Sequence, residues 1–165
     1  MFFSIKHGLI RLSCIRSLKK SLRRKAIKGL QITRETDYAI RTVLYLSAKE
    51  EYFAKAEDIA KSMQIPQSFL RKILKNLEKA EIVKLKRGVS GGIKLSKNPS
   101  EITLYDVIVA IEKKLALNRC LINEKICGLM PKCPVHPVWF KIRERLIQAL
   151  KEIKFKELTV KGTAS

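Results

Sequence analysis

The segment from residue 56 to residue 80 constrains this chain most, because two short apolar repeats stand on either side of a very short break. Apolar side chains recur at helical spacing in both halves, which predicts two helices that each bury one face. The break contains Gln64 and Ile65, and Pro66 suits the first turn of the second helix. The predicted buried positions are Ala56, Ile59, Ala60 and Met63 in the first helix and Leu70, Ile73, Leu74 and Leu77 in the second.

The outward face of the second helix is polar and basic. Two short helices joined by a corner of three or four residues form a helix-turn-helix, whose second helix enters the major groove of DNA. We therefore predict that Gln67, Ser68 and Arg71 read base edges, since a guanidinium matches guanine well. Lys72 and Lys75 are predicted to contact phosphates. The alternative is an ordinary core helix with a solvated polar face.

A predicted β-hairpin follows the second helix directly. Residues 81–88 indicate a strand, residues 88–92 a glycine-rich turn, and residues 93–99 a returning strand that ends at a proline. The glycines do not form a nucleotide-phosphate loop, because no helix opens after them with Gly-Lys-Ser or Gly-Lys-Thr. A hairpin in this position is the wing of a winged helix-turn-helix.

The charge of this region favours DNA as its partner. Residues 55–97 contain eleven Lys or Arg and four Asp or Glu, an excess of seven positive charges. We predict that Lys84, Lys86 and Lys94 contact phosphates, which position a protein without reading sequence. Arg87, at the tip of the hairpin, is predicted to enter a narrow minor groove.

A cysteine-rich stretch later in the chain predicts a metal centre. Cys120, Cys127, Cys133 and His136 are separated by six, five and two residues, and several prolines and a glycine exclude one continuous helix. Thiolates and a neutral imidazole are soft and borderline metal ligands. The spacing contains no CxxC knuckle and suits an iron–sulfur cluster, which is wider than a single ion. The alternative is a loop with a few small buried thiols.

Further helices are predicted before and after these segments. Thr33 can cap a helix through residues 35–50, and Thr103 with Asp106 resembles a capping box. A long helix is predicted from Pro137 to about Lys154. Its apolar side predicts a dimer interface, packing on its own core, or both. That side consists of Trp139, Ile142, Leu146, Leu150 and Ile153.

The predicted fold class is therefore mainly α with a small β-wing: a winged helix-turn-helix domain followed by a long C-terminal dimerisation helix. The domain boundaries predicted from the sequence are residues 30–100 for DNA binding, residues 101–160 for the cluster loop and dimerisation helices, and residues 161–165 for a tail.

Composition limits the partners and the compartment. The net charge of +20 indicates a polyanionic partner, nucleic acid before a membrane surface. No apolar run approaches a membrane span, and no secretory signal with an apolar core is present, so we predict a cytoplasmic protein with no membrane partner. Residues 1–29 contain nine Lys or Arg and no acid. They are predicted to be an amphipathic basic arm or a targeting segment, unless they are not native.

Four strings resemble the Rrf-type winged-helix regulators, a family that includes IscR and NsrR. They are LQITRETDYAIR at the domain start, IPQSFLRKIL at the second helix, RGVSGGIKL at the wing, and CPVHPVW near the cysteines. The resemblance covers about residues 30–160. It implies a homodimer that binds a near-palindromic double-stranded DNA operator. It also implies that the native chain starts near Leu30, so that residues 1–29 are absent or disordered.

The resemblance implies the ligands of a cluster as well. Cys120, Cys127 and Cys133 match the three cluster cysteines of the family, although relatives usually have five residues in the first gap. His136 matches the IscR pattern, which implies a [2Fe–2S] cluster. Asp37 matches the NsrR pattern, in which an aspartate of the partner subunit completes a [4Fe–4S] cluster. We favour His136 and [2Fe–2S], because imidazole is the better ligand beside thiolates.

The predicted function is a repressor or activator whose operator binding is switched by the cluster in response to redox state, nitric oxide or iron–sulfur supply. One alternative is a winged-helix regulator that senses zinc or a small molecule. Another is an iron–sulfur electron-transfer protein with an incidental basic surface, and a third is a protein that binds nucleic acid or membranes through charge alone. The sequence contains no nucleophile motif and no substrate-phosphate loop, so we do not predict an enzyme.

Overall fold

The computed structural model describes residues 32–49, 53–88, 91–123, 125, 127–129 and 132–161. The predicted basic extension, residues 1–29, lies outside the described residues. Within the described part of the chain, no helix has both the length and the hydropathy needed to cross a membrane.

Helix α1 (Arg34–Ser47) begins with the predicted cap. The hydroxyl of Thr33 accepts a hydrogen bond from the backbone N–H of Thr36 at 3.2 Å. Val43 and Leu46 are among the side chains that α1 buries. The cap therefore fixes where the helix starts, and its apolar side fixes which face turns inward.

The predicted helical corner is present between α2 (Ala56–Ser62) and α3 (Gln67–Lys79). Gln64 has a φ of +53°, in the left-handed region that reverses the chain sharply. The N–H of Ile65 donates to the carbonyl of Ala60 at 2.9 Å, and the Ile65 side chain is buried. Helix α3 buries the four predicted residues, Leu70, Ile73, Leu74 and Leu77.

The predicted wing is present, and it gains a contact that the sequence did not indicate. Strands β1 (Val83–Lys86) and β2 (Gly92–Leu95) pair antiparallel, with four residues each. The backbone of Ala54, which precedes α2, exchanges two hydrogen bonds with Ile93 at 2.8 and 2.9 Å. The segment before the helix-turn-helix therefore extends the wing.

Helix α4 (Leu104–Glu112) opens with the predicted capping box. Thr103 Oγ1 accepts a hydrogen bond from the N–H of Asp106, and Asp106 Oδ2 accepts one from the N–H of Thr103. Lys113, with a φ of +63°, ends this helix and begins the segment that leads to the cysteines.

Helix α5 (His136–Glu152) is the predicted long helix, but its predicted C-terminus is wrong. Ile153 is extended, and its carbonyl accepts a hydrogen bond from Leu104 at 3.0 Å instead of continuing the helix. No α5 residue is fully buried within the described structure. Of its predicted apolar side, Trp139, Leu146 and Leu150 are half-buried and Ile142 is exposed.

A last helix, α6 (Phe155–Lys161), was not predicted. Its first residue, Phe155, is fully buried, and its N–H donates to the carbonyl of Ile102 at 3.1 Å. Phe155 joins a core that α1, α2, α3, the wing and α4 share. This core includes Val43, Leu46, Ile59, Leu70, Ile73, Leu77, Val83, Ile93 and Val107. Residues from both predicted domain segments therefore pack on one core.

Candidate nucleic-acid interface and cysteine loop

The outward face of α3 presents the three predicted base-reading residues and one predicted phosphate contact to solvent. Gln67, Ser68, Arg71 and Lys75 are all exposed. The apolar face of α3 is buried in the core, so these side chains lie on its outer faces. Among the described residues, none of the four forms an ion pair, which leaves Arg71 and Lys75 available to bases and phosphates.

Lys72 differs from the other predicted DNA contacts because an acid of α1 holds it. Glu35 Oε2 accepts a hydrogen bond from Lys72 Nζ at 2.8 Å, and Glu35 Oε1 accepts one from Asn76 Nδ2 at 3.3 Å. Lys72 and Asn76 are four residues apart and lie on one side of α3. The structure thus separates the α3 residues that are free from those that α1 binds.

The wing carries a face of lysines. Lys84 and Lys94 are direct cross-strand partners, and Lys86 lies two residues beyond Lys84, on the same face. Like charges directly opposite one another destabilise a strand pair. A bound polyanion would relieve this repulsion. Arg87, at the tip, is exposed as predicted for a groove contact.

Phe53 orders two of these lysines, and its role was not predicted. The Lys86 and Lys94 ammonium groups lie 5.6 and 5.0 Å from the centre of its ring, within the range of cation–π contacts. Gly92 allows this packing, since a Cβ there would lie 3.0 Å from the Phe53 Cβ. Phe53 carries no sequence signal of this role, because it lies outside the predicted helices and strands and its partners are distant in the chain.

The three predicted cluster cysteines lie in the segment between α4 and α5. Cys120 belongs to a short 3₁₀ helix (Arg119–Leu121), whereas Cys127 and Cys133 lie in irregular backbone. All three thiols are free and half-buried. Ile122, Leu129 and Val135 of the same segment are exposed apolar residues. The irregular backbone agrees with the loop predicted from the glycine and prolines.

His136 is the predicted ligand whose surroundings favour ligation most directly. It is the first residue of α5, and its N–H donates to the carbonyl of Cys133 at 3.3 Å. Its ring atom Nδ1 is buried and has no hydrogen-bond partner among the described residues. Buried polar atoms in proteins are nearly always paired, so an orphaned ring nitrogen three residues along the chain from a free cysteine fits a metal ligand.

The described structure does not bring three of the predicted ligands together. Within the described residues, no three His, Cys, Asp or Glu side chains converge closely enough to hold a metal ion. Asp37, the alternative fourth ligand, lies on α1 and forms an ion pair with Arg41 at 2.8 Å. Both side chains of this pair are substantially exposed, so the pair is weak and its carboxylate is accessible.

Arg143 attaches the cysteine segment to α5. Its Nη1 donates to the carbonyl of Leu121 at 3.3 Å, and its guanidinium lies 4.8 Å from the centre of the Phe140 ring. It also pairs with Glu144 at 3.1 Å. This anchor was not predicted, because an arginine on a basic helix carries no distinguishing sequence signal.

Glu112 connects the other end of the cysteine segment to α1. Its Oε1 accepts hydrogen bonds from the N–H and the hydroxyl of Thr33, at 3.2 and 2.7 Å, and from the hydroxyl of Thr36. Partial burial alone raises the pKa of Glu112, but the hydrogen bonds from Thr36 and Thr33 outweigh it, and the net pKa is below its usual 4.5.

Known proteins are similar to this chain in sequence and in fold. The family model described as Rrf2, an iron-dependent transcriptional regulator, matches residues 32–161. The regulator NsrR of Geobacillus kaustophilus is 34% identical over 125 residues, which cover 73% of this chain and 84% of that protein. Among solved structures, the global cysteine regulator CymR of B. subtilis has a TM-score of 0.65 at 23% identity, covering 79% of this chain and 97% of CymR.

IscR of T. potens has a TM-score of 0.61 at 22% identity, covering 83% of this chain and 90% of IscR. These likenesses confirm the predicted fold class, mainly α with a β-wing, and the matched regulators confirm that the chain is not an enzyme. This chain is a transcriptional regulator that belongs to the Rrf2 family of winged helix-turn-helix proteins.

Proposed function

We propose that this regulator binds a double-stranded DNA operator as a homodimer, and that an iron–sulfur cluster on the cysteine segment switches its affinity. The signal is redox state, nitric oxide or iron–sulfur supply. The description of the family as iron-dependent and the similarity to proteins named NsrR and IscR support this proposal. The single observation that carries it is the buried Nδ1 of His136, which has no hydrogen-bond partner among the described residues.

The residues that would hold the cluster are Cys120, Cys127, Cys133 and His136. We favour [2Fe–2S] over [4Fe–4S], because the position of His136 resembles the IscR pattern. When bound, the cluster supplies a redox-active iron centre. Asp37 of the partner subunit is the alternative fourth ligand and would indicate [4Fe–4S]; it would have to leave its ion pair with Arg41.

The DNA contacts are divided between α3 and the wing. The residues proposed to contact DNA are Gln67, Ser68, Arg71 and Lys75 on α3 and Lys86, Arg87 and Lys94 on the wing. Lys72, the remaining predicted contact, is bound by Glu35. Helix α5 supplies the proposed dimer interface, because Val138 and Ile142, four residues apart on one face, expose 52% and 43% of their surface. A coupling between cluster and operator of about 1–3 kcal/mol would change affinity roughly 5- to 150-fold.

The test is an absorption spectrum with iron and sulfide analysis of the full-length chain purified without oxygen. Visible bands with about two irons per protomer would support the Cys₃His set, and about four would support Asp37. His136→Ala should lower the iron content and change the spectrum. A colourless protein that holds zinc or no metal after cluster reconstitution would contradict the switch and leave a DNA-binding regulator with another signal.

DNA binding is tested separately with a duplex selected by the protein from a random library. Cluster-loaded and cluster-free protein should bind this duplex with different affinities. Equal affinities would contradict the switching part of the proposal while leaving operator binding intact. A protein that carries a cluster but selects no sequence would favour the electron-transfer alternative.

A further inference from the structure

Glu35 lies where α1 meets the DNA-reading helix. Its carboxylate binds Lys72 with one oxygen and Asn76 with the other. Only 20% of the Glu35 side chain is exposed, whereas 67% of the Lys72 side chain is. A carboxylate is therefore built into the side of a helix whose Arg71 and Lys75 form no ion pair among the described residues, in the position where a phosphate would compete for Lys72.

A second carboxylate, that of Glu112, binds the first turn of α1, which carries Glu35. Glu112 accepts hydrogen bonds from Thr33, which caps α1, and from Thr36, whose side chain is fully buried. Glu35 lies between these two threonines in the chain. One residue after Glu112, the backbone turns at Lys113 into the segment that leads to Cys120. A displacement of this segment at Glu112 would therefore reach the turn that carries Glu35.

We infer that Glu35 is a positioning residue that withholds Lys72 from phosphate and orients Asn76 on α3, and that Glu112 links this control to the cysteine segment. The inference rests on the proposed DNA binding. With Glu35 in place, Lys72 contributes little to charge-driven binding, so binding depends more on the base-reading side chains. Release of Lys72 would add one phosphate contact on any sequence, which lowers specificity.

The experiment measures the salt dependence of binding of the full-length chain to a mixed-sequence duplex. Glu35→Gln should steepen the slope of log K against log salt by about 0.9, the value for one more neutralised phosphate. Lys72→Gln alone should change the slope much less, and in the Glu35→Gln background it should abolish the gain. The ratio of affinities for a selected operator and the mixed duplex should fall in Glu35→Gln.

Glu78→Gln is the matched control, because it removes the same charge from exposed α3 surface and Glu78 has no ion pair among the described residues. Glu112→Gln should also steepen the slope of log K against log salt, but by less than Glu35→Gln does. Equal slopes in Glu35→Gln and Glu78→Gln, or a gain that persists without Lys72, would overturn the role of Glu35. An unchanged slope in Glu112→Gln would overturn the link to the cysteine segment.

These outcomes are distinct from failure of the proposed function. A wild-type chain that binds no DNA would overturn both proposals. A wild-type chain that binds DNA, with a slope that Glu35→Gln does not change, would overturn only this one. Thermal melts followed by circular dichroism verify that each variant is folded before its slope is compared.

Discussion

Most of the described apolar side chains of residues 34–95 pack in one core, although Phe69 and Leu85 are exposed. By contrast, the segment between α4 and α5 exposes Ile122, Leu129 and Val135, and α5 buries no side chain completely. The first region includes both helices of the helix-turn-helix and the wing. The second contains the cysteines. The two regions thus differ in what stabilises them, because only the first gains substantially from burial of apolar surface within the monomer.

This difference teaches how sensing and reading are divided in the molecule. A reading surface must keep its side chains in register with DNA, and a closed core supplies that rigidity. A sensing segment must change shape, and elements with few buried contacts open at low cost in free energy. The cysteine segment is joined to the rest by particular hydrogen bonds, those of Arg143 to Leu121 and of Glu112 to Thr33.

The largest expected effect is on the free energy of unfolding, compared between one side chain of the core and one of the cysteine segment. Phe155→Ala should lower the free energy of unfolding by about 3–5 kcal/mol, because it leaves a cavity at a fully buried site. Leu129→Ala, at a side chain that is 74% exposed in the cysteine segment, should change it by less than about 0.5 kcal/mol. Urea unfolding of both variants measures this. Similar losses of unfolding free energy in the two variants would contradict the proposed difference in stabilisation between the two regions.

Gly92 in the wing and Gly128 in the cysteine segment allow the two regions to be compared at the backbone. A Cβ at Gly92 in the wing would lie 2.7 Å from the carbonyl oxygen of Ala54, whereas one at Gly128 would meet nothing within 4 Å. Gly92→Ala should therefore cost about 1–3 kcal/mol through overpacking, and Gly128→Ala should be nearly neutral. Thermal melts compare the two, and a tolerated Gly92→Ala would show that the wing moves freely.

The two regions should also lose function separately. Arg71→Ala should weaken operator binding by about 1–3 kcal/mol and relax sequence preference, with iron content unchanged. His136→Ala should lower iron content and leave the unfolding free energy of the cluster-free protein nearly unchanged, because His136 is not part of the core. Gel-shift titration and metal analysis measure the two losses. Loss of iron in Arg71→Ala, or weaker operator binding by His136→Ala than by wild type when both are cluster-free, would indicate that the regions are not distinct.

The smallest expected effect lies at the border between the regions. Glu112→Gln should lower stability by about 1–2 kcal/mol near neutral pH, because its ionised carboxylate accepts hydrogen bonds from Thr33 and Thr36. The pKa of Glu112 is lowered in the folded state, so this stability is present above pH 4.5 and is lost as pH falls through the lowered pKa. Unfolding at several pH values should show the difference shrinking in acid, and a constant difference would contradict this origin.

The local elements could be predicted because their signals are local. The Thr33 cap, the Thr103–Asp106 capping box and the helical corner at Gln64 each depend on residues a few positions apart. The unpredicted parts depend on distant partners. Helix α6 is short, and its place is fixed by Phe155 reaching the core, which no local pattern indicates. The end of α5 was misplaced because Ile153 pairs with Leu104 from another helix.

The candidate site follows the same rule. The sequence by itself determined the helix-turn-helix, the basic wing and the set of three cysteines and one histidine, because residue type and spacing carry them. Tertiary structure alone decided that Glu35 binds Lys72, that Phe53 contacts two wing lysines, and that the Nδ1 of His136 is buried without a partner among the described residues. The physical reason is that periodicity specifies which face of an element is apolar, whereas the neighbour of each polar side chain is set only when those faces pack together.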